Sequence, residues 1–157
     1  MITQPFTYQK QKTIQALRYH FISRKEIKVM LVLVNVFSLT TAVLFFLKKI
    51  TPVAFLTGSS LWLLMMLLFW LIMPRMVYSQ NKTFKETMQV DFADESFTIH
   101  MGTNQRAFAW TSCSQWMESP HFFHIYFNQR SFFLIPKDSF SDEHEARQWL
   151  KGRLKKG

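Results

Sequence analysis

The residues that could do chemistry are few. His121 and His124 stand three apart in the aromatic run "HFFHIYF". That run reads as a strand, on which positions i and i+3 point to opposite faces, so the two imidazoles are not expected to hold one metal. His144 follows later in the chain, and Cys113 has no histidine or other base close to it in sequence, which favours a structural or surface thiol over a nucleophile. Asp91, Asp94 and Glu95 cluster at a turn and are most simply solvated. Arg106, Arg130 and Lys137 could form an anion-binding patch, although scattered surface charge is the simpler reading. Trp110 and Trp116, six apart, would share a face of an undistorted strand; core packing or a ligand pocket both fit that spacing. There is no metalloprotease helix motif, no nucleophile elbow and, with 4 glycines, no phosphate-binding glycine loop. The expectation is a protein that is not an enzyme, with no metal and no cofactor.

The elements that would position these residues divide sharply. Val29–Leu47 runs 19 residues without a charge, and Ile50–Pro74 runs 25. About 20 apolar residues suffice to cross a bilayer core of roughly 30 Å. Two buried helices of a soluble bundle would need far more covering chain than the 28 residues before Val29 can supply. Two membrane spans, about 28–48 and 52–74, are therefore expected, joined by the short connector "KKITP" into an antiparallel hairpin. A signal peptide fits the first run poorly, because its charged lead-in is long and no small-x-small cleavage pattern follows.

Charge orients the hairpin. Arg18, Arg24, Lys25, Lys28, Arg75, Lys82 and Lys85 flank the outer ends, against Lys48 and Lys49 in the connector. That asymmetry places both termini in the cytoplasm, in a multi-pass protein of the cytoplasmic (inner) membrane. One cysteine allows no internal disulfide and fits a reducing compartment. The net charge of +9 is concentrated beside the bilayer: residues 1–28 carry +5 and the connector +2, whereas residues 74–157 carry only +2. Arg18, Arg24, Lys25, Lys28 and Arg75 are expected to face anionic lipid headgroups. The nearly neutral C-terminal part offers no basic face for nucleic acid. The expected partners are the lipid bilayer and an unidentified protein, with the oligomeric state open.

Three regions follow: a basic N-terminal segment over 1–28, the hairpin over 29–74, and a strand-rich domain over 75–157. In the first, "PFTYQ" reads as extended. Ile14, Leu17, Phe21 and Ile22 then recur on one helical face, either lying on the inner leaflet or packing on the strands. Within the hairpin, small and polar residues cluster near one level, where Thr41 and Ala42 should meet Ser59 and Gly58. Asn35 is the most polar side chain in either run. It is read as a helix–helix hydrogen bond rather than a transport site, since no ionisable residue lies in the spans.

After Pro74 the period changes to that of strands. "TMQVDF", "FTIHM" and "RAFAWTSCSQWME" are separated by turns, the last long enough for one bent strand or two short ones. If Asn128-Gln129 is a two-residue turn, Phe127 faces Arg130, Ile125 faces Phe132 and Phe123 faces Leu134. Phe123, Ile125, Phe127, Phe132 and Leu134 would then line the core, with Trp110, Trp149 and Leu150. Ser141 or Asp142 caps a final helix whose apolar face is Ala146, Trp149, Leu150 and Leu154. About six or seven strands closed by that helix make an α+β domain beside a membrane α-helical hairpin.

The order of these segments is itself informative. An N-terminal F-x-Y segment and helix, a two-span hairpin, "FAW", "FFLIPKDSF" and a closing helix together resemble the YcxB-like membrane protein family over essentially the whole chain. The resemblance implies a C-terminal pleckstrin-homology-like domain, a bent antiparallel sheet with a capping helix, and brings no catalytic residues with it. The function expected is a non-enzymatic membrane protein that displays this domain in the cytoplasm to bind a protein or a membrane-surface ligand. The alternative is an accessory or immunity-type subunit of a larger envelope complex.

Overall fold

The structure is a computed structural model that describes residues 1–128 and 131–156. It divides into two compact units, Met1–Ala16 with Asn81–Gly157, and Leu17–Gln80. The division differs from the boundaries at 28 and 74 suggested by the charge pattern. Backbone pairing takes the first residues into the strand unit, and the last apolar helix runs on to Gln80.

In the first unit, β1 (Met88–Phe92), β2 (Ser96–Met101) and β3 (Asn104–Ala109) form one antiparallel sheet in that order. Gly102, at φ +58°, makes the tight β2–β3 turn in a conformation that a side chain would disfavour. A second sheet holds β4 (Gln115–Glu118), β5 (Phe122–Tyr126) and β6 (Phe132–Pro136). The long run "RAFAWTSCSQWME" thus becomes two strands, broken by a 3₁₀ turn at Trp110–Ser112.

A seventh extended piece lies outside the named strands. Ile2 bridges Asp91 and Phe6 bridges Met88, antiparallel along the free edge of β1. Thr3 N–H donates to the Val90 carbonyl at 2.9 Å, while Phe6 and Met88 exchange bonds at 2.8 and 2.9 Å. Tyr8 then donates its hydroxyl to the Leu134 carbonyl at 2.6 Å. Segments more than eighty positions apart in sequence are thereby joined.

The core is aromatic. Phe97, Trp116, Phe122, Phe123, Ile125 and Ile135 are almost fully buried, and Phe97 packs on Trp110 at 4.8 Å between ring centroids. Trp110, Leu134 and Leu150 are buried in the same cluster; Phe127, Phe132 and Trp149 pack against it partly exposed. Every residue of β5 is buried, as expected of a central strand covered on both faces.

The β5–β6 register corrects the sequence reading. Ile125 pairs with Phe133 and Phe123 with Ile135, not with Phe132 and Leu134. A slip of one residue exchanges the faces of a strand, so Phe123, Ile125, Phe133 and Ile135 share one side. Leu134 and Phe132 lie on the other, with His124 and Tyr126. The cause is the connection: Phe127 N–H bonds the Ser131 carbonyl at 3.0 Å, and Ser131 N–H bonds the Asn128 side chain at 2.8 Å, which lengthens the loop. The expected Asn128-Gln129 turn and the Phe127–Arg130 pair fall partly on residues 129 and 130, outside the described residues. The closing helix, α5, covers Glu143–Arg153. Asp142 caps it, accepting from the amides of His144 and Glu145 at 2.7 and 3.2 Å.

α1 (Lys10–Ser23) begins in the first unit and ends in the second. The second unit continues with α2 (Lys25–Phe46) and α3 (Pro52–Leu67), then a π turn at Leu68–Ile72 and α4 (Met73–Gln80). Both helical rods are long and apolar enough to cross a membrane. Of their residues only Thr41, Gly58 and Pro74 are buried, so large apolar side chains cover the outside. The π turn has a local cause. Pro74 has no N–H for the Trp70 carbonyl four residues earlier, and Met73 N–H reaches back five residues to Leu68 instead.

Candidate functional site

The residues first considered for chemistry do not converge. His121 is exposed, whereas His124 is fully buried and stacks near Tyr126 and Phe132, each at 6.3 Å. Among the described residues no three His, Cys, Asp or Glu side chains are grouped to hold a metal. Cys113 is half-buried, and burial pushes its thiol above the ordinary value, away from nucleophilic thiolate character. Trp110 and Trp116 both belong to the core, the first donating its indole N–H to the Ala93 carbonyl at 3.0 Å. Arg106 is exposed over the Phe108 ring, Arg130 lies outside the described residues, and Lys137 is engaged elsewhere.

Lys137 is part of an ion-pair network that the sequence reading missed. Glu118 on β4 accepts from Lys137 Nζ at 2.6 Å and from Arg147 Nη2 at 2.7 Å. Glu143 joins both cations, Lys137 at 3.1 Å and Arg147 one helical turn along α5. Hydrogen bonding from Arg147, with Lys137 adding to it against partial desolvation, holds the Glu118 carboxyl down at about 2. The network ties sheet to helix. Its only sequence signal is the i, i+4 spacing of Glu143 and Arg147.

The other end of β4 is different in kind. Trp116 N–H donates outward to the Lys155 carbonyl at 2.9 Å, and Lys156 bridges Trp116 in parallel. Beside this contact lies an open depression of about 370 Å³, lined by Trp110, Cys113, Ser114, Arg153 and Lys155 among others. Arg153 is held at its wall, 3.6 Å above the Trp149 ring and bonded to Asp94 at 2.6 Å.

In the helical unit the two rods meet tightly at Gly58, where an added Cβ would lie 3.2 Å from Thr41 Cγ2. Ser59 is half-buried beside it; Ala42, expected at this level, is exposed, because the helices meet through Thr41 and Phe37. Asn35 accepts from the Trp62 indole at 3.3 Å and donates to the Leu31 carbonyl at 2.7 Å. Phe45 stacks on Phe55 at 4.5 Å near the connector.

The basic residues divide in use. Lys25, Lys28 and Arg75 are exposed, and Arg24 lies 3.9 Å from Glu26. Arg18 is committed: its Nε donates at 2.9 Å to the Trp70 carbonyl that Pro74 leaves without its helical donor. Its guanidinium also sits 5.1 Å over the Trp70 ring. Proline position relative to Trp70 was the available signal for this contact.

No curated protein matches this chain, and no solved structure matches it. A family model does match, over residues 92–151, a little more than a third of the sequence. That segment runs from the end of β1 through both sheets and most of α5, and it includes "FAW" and "FFLIPKDSF". The resemblance seen in those motifs therefore holds for this segment, and residues 92–151 match the YcxB-like protein family.

Proposed function

We propose that the chain is a non-enzymatic, multi-pass protein of the cytoplasmic membrane, both termini cytoplasmic, whose hairpin displays a pleckstrin-homology-like module to a protein or membrane-surface ligand. One observation carries the reading: residues Ile2–Phe6, before the hairpin, pair along β1, which follows it. Such pairing requires both ends of the hairpin to return to one side of the membrane. The surplus of Arg and Lys at those ends favours the cytoplasmic side. Two antiparallel sheets closed by α5 agree with a bent sheet and capping helix. Exposed Lys25, Lys28 and Arg75 suit anionic headgroups. Tethering at the surface raises the effective concentration of weak partners.

A second reading, an accessory or immunity-type subunit of an envelope complex, is favoured by one feature. An apolar groove of about 310 Å³ on the hairpin, lined by Leu33, Phe37, Leu61 and Trp62 among others, could seat a further helix. Native mass spectrometry of the chain extracted in mild detergent separates the two. Retained anionic lipid or a substoichiometric soluble protein supports the first reading, and a stable hetero-complex of membrane proteins supports the second. Specific turnover by the purified chain would count against both.

A further inference from the structure

We propose that Arg18, fixed on Trp70, forms a single binding site for the phosphate of an anionic phospholipid. The inference deepens the membrane-surface ligand of the function proposed above, and rests on the hairpin spanning the bilayer.

A proline builds the site. Pro74 leaves the Trp70 carbonyl without its helical donor, and Arg18 Nε takes that place at 2.9 Å. The face of the guanidinium is held as well, 5.1 Å from the centre of the Trp70 ring. A long side chain that would otherwise lose rotamer freedom on binding is thus set in place before any ligand arrives. The edge that remains carries Nη1 and Nη2, and among the described residues neither meets a protein acceptor. Two donors in that fork match two oxygens of a phosphate.

The charge is not compensated from within the chain. Between Leu17 and Gln80 the only acid is Glu26, which lies beside Arg24. Arg18, Lys25, Lys28 and Arg75 pair with no carboxylate among the described residues. Apolar side chains accompany the cation: Tyr19 and Ile22 follow it on α1, Ile72 and Met76 follow Trp70, and all four are exposed. A tryptophan near the end of a span marks the headgroup level. A phosphate that carries acyl chains suits both the guanidinium and these side chains, whereas a free phosphate would leave the apolar ones in water.

The test uses the full chain in mild detergent, with phosphatidylglycerol added at increasing mole fraction and bound lipid counted by native mass spectrometry. The intact chain should take up one phosphatidylglycerol molecule well before any further one, and in preference to phosphatidylcholine. Arg18→Leu should weaken that first site about tenfold, since it removes a charge-assisted, two-donor contact. Arg18→Lys keeps the charge without the fork and should recover little of the loss. Pro74→Ala changes no charge, but returns an N–H to the Trp70 carbonyl and releases Arg18; it should weaken the site about threefold. Lys49→Leu, which removes one charge at the connector, should bind as the parent does. Parent-like binding by Arg18→Lys and Pro74→Ala, equal losses in Arg18→Leu and Lys49→Leu, or displacement of the lipid by millimolar inorganic phosphate overturns the proposal. Lipid retained without dependence on Arg18 or Pro74 refutes this site alone and leaves the interaction-module reading standing.

Discussion

Glu118→Gln isolates the charge at the centre of the sheet–helix network while keeping an oxygen that can accept from Arg147. In the folded protein Glu118 titrates at about 2, against an ordinary value of 4.5. A difference of that size corresponds to about 3 kcal/mol undiscounted. The carboxylate lies near the surface, where salt and water screen it, and a contribution of about 1–2 kcal/mol is the sounder expectation. The sign follows from linkage: the folded pKa is depressed, so the stabilisation is complete above the unfolded value near 4.5 and disappears as pH falls through about 2. Urea unfolding of the detergent-solubilised protein, followed by the near-ultraviolet circular dichroism of Trp110 and Trp116, reads the strand unit. Glu118→Gln should be less stable than the parent by about 1–2 kcal/mol at pH 7 and indistinguishable from it near pH 2. The same gap at both pH values would show that the loss is steric and that the network contributes no charge-dependent stability.

Four further outcomes follow from contacts elsewhere. Tyr8→Phe removes the buried 2.6 Å bond to the Leu134 carbonyl and should cost about 1–2 kcal/mol in the same unfolding assay. Phe97→Ala opens a cavity among Trp110, Phe92 and Phe108 and should cost about 3–5 kcal/mol, with most of the product insoluble. Gly58→Val sets a branched side chain against Thr41, 3.2 Å from where its Cβ stands, and should suppress disulfide cross-linking of a Phe45→Cys, Phe55→Cys pair that forms readily in the parent. Arg18→Leu leaves the Trp70 carbonyl without its side-chain donor and should red-shift and quench Trp70 fluorescence relative to Arg18→Lys, measured with the other tryptophans replaced by phenylalanine.

Periodicity exposed most of the elements. The two charge-free runs, the strands at Met88 and Ser96, and the Asp142 cap are local signals, each written in a handful of neighbouring residues. Three things were not legible for the same reason: they depend on residues far apart in the chain. Pairing of Ile2–Phe6 with β1 joins segments separated by the whole hairpin, so "PFTYQ" could be read as extended but not placed. The β5–β6 register turned on loop length, and with both strands buried on both faces hydrophobicity could not reveal a one-residue slip. The partners of Glu118 come from β6's end and α5, and only the Glu143–Arg147 spacing hinted at them. In the hairpin, matching the two runs at the level of their small and polar residues placed Thr41 and Gly58 together. It also put Ala42 there, because a linear count along two helices ignores which way each side chain turns.

In the topology we propose, the segments before and after the hairpin meet on one side of the membrane, in the cytoplasm. Three variants in a Cys113→Ser background test it: Gln11→Cys, Lys49→Cys and Lys151→Cys, all at exposed positions. Each is treated with a membrane-impermeant maleimide in intact cells whose outer barrier has been made permeable, and again after the cytoplasmic membrane is opened. Labelling of Lys49→Cys at the first step, with Gln11→Cys and Lys151→Cys reacting only at the second, is the predicted result. Labelling of Gln11→Cys and Lys151→Cys at different steps would contradict the shared strand unit, and labelling of both at the first would place that unit on the outer side of the cytoplasmic membrane.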